Sequence, residues 1–273
     1  MEDGVERVAA GRHGGARSLL SGQGPATLPL SLCALVVIWM LAAWINADAE
    51  LLPGPVEVLG IVREELASGE LLHHVAWTLW RVVAGFSLAM LGGLAIGFAL
   101  GRSDTVDAWF GPWVIVALNV PALVVIVLCY LWIGLNEVAA IAAAAFNKTA
   151  MVAVNIREGV RALDPRLSDM ARVFRMSALA RLRHVILPQL WPFLAASTRN
   201  GLAIIWKIVL VVEFLGRSNG VGFQIHLYFQ LFEVGHVLAY SLTFVAVMLA
   251  IDVALLQTWE RRTTRWRRLS ESH

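Results

Sequence analysis

Long apolar stretches alternate along this chain with short polar ones, at a spacing that suits a membrane. Six stretches, at about 28–45, 75–100, 113–133, 138–155, 190–212 and 237–259, come close to the ~20 mostly apolar residues that a helix needs to cross a hydrocarbon layer of about 30 Å. They are continuous and rich in Ala, Leu and Gly. That predicts helices, because barrel strands alternate apolar and polar positions over segments of about ten residues. Between residues 51 and 72, Val56, Leu59, Val62 and Leu66 recur near helical spacing beside acidic side chains. A short helix is expected there, lying flat at the outer interface or serving as a plain connector.

One region interrupts the oily pattern. Seven arginines fall between Arg157 and Arg183. Asp164 is placed to cap a helix whose first position is Pro165, where the missing N–H is not needed. Leu167, Met170, Ala171 and Phe174 then recur at i, i+3, i+4 and i+7, an apolar stripe with Arg166, Arg172 and Arg175 largely off it. Ser177 is placed to cap a second short helix carrying Leu179, Leu182 and Ile186, which Pro188 is expected to close. The pattern predicts a helix-turn-helix plug that lies in water beside a partner.

Composition supports the membrane reading: 58% of residues are apolar, 15% are charged, and the mean hydropathy is +0.69. Such a chain is an integral membrane protein. The first span is preceded by a polar tail, 1–27, whose Gly11, Gly14, Gly15, Gly22 and Gly24 suit disorder. Ala47-Asp48-Ala49 has the form of a signal-peptide cleavage site, yet the run before it exceeds a usual signal core, so a retained anchor is expected. Cys33 and Cys129 lie in apolar spans and read as small hydrophobes.

Cations set the orientation. Arg7, Arg12 and Arg17 precede the first span, Arg261, Arg262, Arg265, Arg267 and Arg268 follow the sixth, and the arginine island falls on the same side. Both termini and the island are therefore expected in the cytoplasm. Asp48, Glu50, Glu57, Glu64, Glu65 and Glu70 face outward.

Asp169-Met170-Ala171-Arg172, then Ser177, then Val185-Ile186-Leu187-Pro188 resemble the EAA loop of ABC importer permeases. Asp169 stands in for the family's Glu, Met170 for its first Ala and Ala171 for its second; Leu187-Pro188 matches outright. Arg175 occupies the place of a family glycine. Either Arg175 adds a charge contact to a partner, or the helix runs one residue longer, which is the simpler expectation.

The resemblance covers about 71–256. It includes Thr78-Leu-Trp-Arg-Val-Val-Ala-Gly-Phe86, Leu100-Gly-Arg-Ser103, Glu158-Gly-Val-Arg-Ala-Leu-Asp-Pro165 and Glu213-Phe-Leu-Gly-Arg-Ser-Asn-Gly-Val-Gly-Phe223. These look like the branch that serves nitrate, sulfonate, taurine and related small solutes; other members of it serve pyrimidine or thiamine precursors and aromatic acids.

The resemblance implies an all-α integral membrane protein with six transmembrane helices, of the type I ABC importer permease fold, in the inner membrane. A cytoplasmic coupling loop would span 157–188, and a basic cytoplasmic tail 257–273. Asp169, Met170, Ala171, Arg172, Phe174, Arg175, Ser177, Leu187 and Pro188 would form the contact with an ATPase. The implied partners are two cytoplasmic ABC ATPase subunits, a second permease subunit forming a homodimer, and an extracytoplasmic solute-binding protein.

The chain carries no Gly-x-x-x-x-Gly-Lys-Ser/Thr phosphate loop, so energy must come from another subunit. No cofactor or metal is implied, and nothing points to nucleic acid. Charges inside spans require partners or water. Arg81, Lys148, Arg199, Lys207 and Glu213 qualify; Arg81, Asn119, Lys207 and Glu213 are the candidates for the solute pathway. The competing reading is an internal Lys207–Glu213 pair or side chains that reach the interface. Asn147, Asn155 and Asn200 suit interhelical hydrogen bonds, and Gly85, Gly92, Gly93, Gly97 and Gly101 suit close helix packing.

Two other classes are weighed. A membrane enzyme could assemble a metal at His226, Glu233 and His236, although His-Glu-x-x-His is absent. An ion-driven secondary transporter would have no use for a coupling plug.

Overall fold

The computed structural model describes residues 27–46, 48 and 50–270, with side chains at 27–29, 253 and 255–270 outside the description. Residues 1–26 of the tail expected at 1–27, two members of the cleavage-like triplet, and the side chains of the terminal arginine group therefore lie outside the description, and Thr27 begins α1. Every described element is helical: α1 (Thr27–Asn46), α2 (Pro55–Ser68), α3 (Glu70–Arg102), α4 (Asp104–Asn119), α5 (Ala122–Ile133), α6 (Glu137–Arg161), α7 (Pro165–Val173), α8 (Ala178–Arg181), a π-helical turn (Leu182–Ile186), α9 (Leu187–Gly216), α10 (Val221–Gln230) and α11 (Val234–Ser270).

Three helices among the described residues are long and apolar enough to cross a membrane: α3, α6 and the 234–252 part of α11. Helices α4 and α5 make a fourth if counted together, but they are bent by 99°. The expected straight span at 113–133 is thus broken. Pro121 has no N–H to continue the ladder and pushes Val120 into an extended conformation (φ −71°, ψ 124°). The Asn147 side chain donates to the Val120 carbonyl across 3.1 Å, so the break stays satisfied inside the fold. Helix α1 is apolar but shorter over its described part, from Leu30 to Asn46. Helix α9 has 30 residues and is not among the apolar spans; Arg199, Lys207 and Glu213 interrupt it.

The core is a close pairing of α3 with α6. Gly85, Ala89, Gly93, Gly97 and Gly101 recur every fourth residue on α3. A Cβ at Gly97 would lie 2.8 Å from Ile156 Cβ, and one at Gly101 would lie 2.6 Å from Val160 Cβ. Glycine there lets the two backbones approach, as small-xxx-small faces do in membranes. The facing side of α6 is lined by Ala140, Ala143, Ala144, Val152, Ala153 and Ile156, all buried. Ile205, Trp206, Val209 and Val212 of α9 and Tyr240 and Phe244 of α11 complete the main cluster.

Helix α2 forms at the place where a short helix was expected. Val56, Leu59 and Leu66 face outward, whereas Pro55 and Val58 are buried. It is held on its inner side by Tyr240, whose hydroxyl donates to Glu65 across 2.6 Å. Cys33 is exposed on α1 and Cys129 is half-buried.

Candidate functional site

The arginine island folds as two capped helices. Asp164 accepts from the Arg166 N–H at 2.8 Å, and Ser177 accepts from the Ala180 N–H at 3.2 Å, so both expected caps are formed. Helix α7 ends at Val173. The Arg175 N–H donates to the Arg172 carbonyl and the Met176 N–H to the Ala171 carbonyl, each at 3.0 Å, which is the paired-bond helix ending usually built on glycine. Arg175 takes the glycine role itself, with φ 47°. The longer helix expected from its side chain does not form.

The stripe on α7 divides in two. Ala171 is 1% exposed and packs within the loop, whereas Phe174 is 74% exposed, and Val173 and Leu179 stand out beside it. Leu167 and Met170 are on the exposed side as well. Asp169 and Arg172 pair with each other at 3.2 Å on the open surface. The face available to a partner is therefore Met170, Val173, Phe174 and Leu179, and Ala171 holds the loop together from inside.

Pro188 does not close the second helix. It sits in the first turn of α9, and α8 passes into α9 through the π turn. Proline cannot donate to the carbonyl four residues earlier, and the helix widens just before it, with Leu187 N–H bonded back to Leu182. Gln189 Nε2 donates to the Val185 carbonyl at 2.8 Å, and its Oε1 accepts from the Asp164 N–H at 2.9 Å. This amide ties the base of α9 to the start of α7.

At the other end of α9, a buried network joins Arg81 and Glu213, which are 1% and 0% exposed. Arg81 Nη1 donates to Glu213 Oε1 at 2.7 Å, and its Nε and Nη2 fork onto Glu137 at 2.9 and 2.7 Å. Nη1 also reaches the Asn219 carbonyl at 2.9 Å, and Nη2 the Asn219 side chain. Arg217 pairs with Glu137 as well. Two cations and two carboxylates balance, and the fork geometry suits a planar guanidinium.

Glu213 lies against the start of α10. Its Oε2 accepts from the Gly222 N–H and from Thr78 Oγ1, both at 2.9 Å. Thr78 Oγ1 accepts in turn from the Val221 N–H at 2.9 Å. A carboxylate at a helix N-terminus satisfies donors that have no partner within the helix. Gly220 has φ 106°, and a Cβ there would collide with the Glu213 carboxylate, so glycine is required twice over. His74 Nδ1 accepts from the Gly220 N–H at 3.0 Å, and its Nε2 lies 2.6 Å from the side-chain amide of Gln224.

The structure thus brings together two of the four pathway candidates, Arg81 and Glu213, and separates the others. Lys207 is exposed on α9 and does not pair with Glu213; Asn119 is exposed at the α4–α5 bend and donates to its own Ile115 carbonyl at 2.8 Å. Glu137, Asn219, Arg217 and Thr78 are members that reading the sequence left out. Glu137, an acid opening an apolar helix, was the signal available. Lys148 is buried between α6 and Gly201, with Met151 Sδ at 3.2 Å. The metal alternative finds no geometry: His226 packs on Phe214, Glu233 pairs with His236 at 2.7 Å, and no group of three His, Cys, Asp or Glu that could hold a metal occurs among the described residues.

Comparison with known proteins gives the class that this helical, membrane-spanning chain serves, that of a transporter subunit. Residues 89–259 match the family described as binding-protein-dependent transport system inner membrane component. SsuC of Bacillus subtilis (strain 168), a permease protein provisionally named for the transport of aliphatic sulfonates, is 31% identical over 234 residues, 85% of this chain and 84% of that protein.

The taurine transport system permease protein TauC of Escherichia coli (strain K12) is 26% identical, covering 86% of this chain and 88% of its own. The bicarbonate transport system permease protein CmpB of Synechococcus elongatus is 27% identical over 85% of this chain and 88% of its own. The crystal structure of an amino acid ABC transporter with histidines shares the fold, with a TM-score of 0.59, 22% identity, and coverage of 75% of this chain and 97% of that one. The chain belongs to the binding-protein-dependent transport family and is an ABC importer permease of the inner membrane.

Proposed function

We propose that this chain is the pore subunit of an ATP-driven importer for a small anion of the sulfonate, taurine or nitrate kind. Two identical copies would form the pathway, with two ATPase subunits below and a solute-binding protein outside. The observation that carries this reading is the plug. It exposes Phe174, Val173 and Leu179 in a segment that belongs in water, at the foot of the continuous helix that reaches Glu213. An apolar patch of that kind needs a partner surface.

Six crossings are the count that fits, with α1, α3, the bent α4–α5 pair, α6, α9 and α11 each crossing once. Both termini then lie in the cytoplasm with the plug, as the arginine distribution requires. Closure of the ATPases would move the plug, and with it the spans, between inward-open and outward-open arrangements. The names of the relatives, which concern sulfonates, taurine and bicarbonate, support an anionic cargo.

Uptake of a labelled alkanesulfonate, taurine, nitrate or bicarbonate into vesicles tests the reading. Uptake of one of them is expected only when the ATPase, the binding protein and ATP are all present. Uptake driven by an ion gradient alone would overturn it in favour of a secondary transporter.

A further inference from the structure

Helix α9 has two faces of different character. Ser197, Gly201, Ile205, Ile208 and Val212 are buried against the rest of the fold. The opposite face exposes Ala196, Arg199, Asn200, Ala203, Lys207 and Val211, which recur at helical spacing. Arg199 lies 12 residues after Leu187, and Lys207 lies 9 residues before Gly216. At 1.5 Å per residue both are more than about 13 Å from either helix end.

Among the residues of the long helices α3, α6, α9 and α11 whose side chains are described, only those of α9 include exposed cations so far from the helix ends. Arg81 and Lys148 are buried, and Arg157 and Arg161 belong to the last turns of α6. None of the ion pairs among the described residues includes Arg199 or Lys207. Lipid is a poor neighbour for such a face, since charges in membrane helices turn toward protein or a water-filled cavity. A face with two cations, an amide and small side chains between them suits water and an anion.

We infer that this face of α9 lines the translocation pathway and that Lys207 and Arg199 are two successive stations for the anion, with Asn200 beside the inner one. The inference rests on the anion-importer reading and adds the residues that select the charge. The stations are about 12 Å apart along the helix. Each holds the anion by one cation at an exposed position, so binding favours entry yet permits release to the next station. The buried network at Arg81 is excluded from this role because its charges are already satisfied by each other.

The test uses full-length protein in membrane vesicles with Cys33→Ala and Cys129→Ala, and a single thiol introduced as Ala203→Cys between the two stations. Reaction rates are measured with two thiosulfonate reagents of similar size, one ending in a sulfonate and one in a quaternary ammonium. The anionic reagent is expected to react at least tenfold faster. Arg199→Gln or Lys207→Gln should each lower that preference about threefold, and the two together should bring it near parity.

Leu91→Cys on the exposed side of α3 is the lipid-facing control and should react with neither. An unreactive Ala203→Cys would overturn the inference, as would a preference absent at the start or unchanged by both substitutions. The labelling needs no ATP and no ATPase, so its failure would leave the importer reading to be decided separately by the uptake experiment.

Discussion

Arg175 holds the left-handed backbone conformation at the end of α7, at φ 47°, where a side chain is disfavoured by roughly 1 kcal/mol relative to glycine. Arg175→Gly should therefore raise the stability of the purified protein by about that amount, seen as a higher melting temperature in detergent. A lower melting temperature would show that the Arg175 side chain compensates the strain. Arg81 presents the opposite case, since all its donors face acceptors inside the fold. Arg81→Ala leaves Glu213 buried without its cation, a change that typically costs about 3–5 kcal/mol. A sharp fall in folded protein, read by size-exclusion chromatography, is expected, and the double change Arg81→Met with Glu213→Leu should recover part of it. Single residues were legible in the sequence where their partners are near. Asp164 and Ser177 announced their caps because the bonded N–H groups lie two and three residues on. Glu213 could be flagged as a charge in an apolar helix, but its partner Arg81 is 132 residues away, and nothing local distinguishes it from Lys207, six residues earlier.

Helices α3 and α6 show how a sequence pattern becomes an interface. The recurrence of glycine on α3 predicted close packing, and the structure places Val152, Ile156 and Val160 of α6 against those glycines. Gly97→Leu would drive a side chain into Ile156 and the Ala153 carbonyl, and overpacking of this kind costs about 1–3 kcal/mol or more where backbone is struck. Loss of the protein from the membrane fraction, set against normal levels for a substitution at exposed Leu91, is the measurement. The elements that sequence reading missed are those where proline acts. Pro121 splits an apolar run that hydropathy alone joins, and Pro188 opens α9 through a wide turn where a helix end was expected. At both breaks a side-chain amide donates to a nearby carbonyl, Asn147 to Val120 and Gln189 to Val185, and periodicity carries no record of that. Likewise the stripe on α7 was visible as a stripe, but its division into an inward Ala171 and an outward Phe174 is decided by the π turn packed behind it.

For the whole molecule, that division separates folding from assembly. Ala171→Asp would bury a carboxylate within the loop and should reduce the amount of folded subunit. Phe174→Asp alters an exposed position, so the subunit should accumulate normally while its co-purification with the ATPase falls at least tenfold. Equal ATPase recovery with Phe174→Asp would place the contact elsewhere. That the chain spans a membrane with helices was legible from hydropathy, and its class from the likeness of the island and the segments around it to a known family, whereas the spatial meeting of Arg81, Glu137, Glu213 and Asn219 required the fold. The continuity of α9 has a mechanical consequence. A single helix runs from the π turn beside the plug past Glu213 in the far network to Gly216, a length of about 45 Å. Turned about its foot by some 10°, a lever of that length would sweep its tip through about 8 Å. A nudge at one side of the bilayer would then arrive at the other as a stroke longer than a helical turn, with the wide turn as its fulcrum.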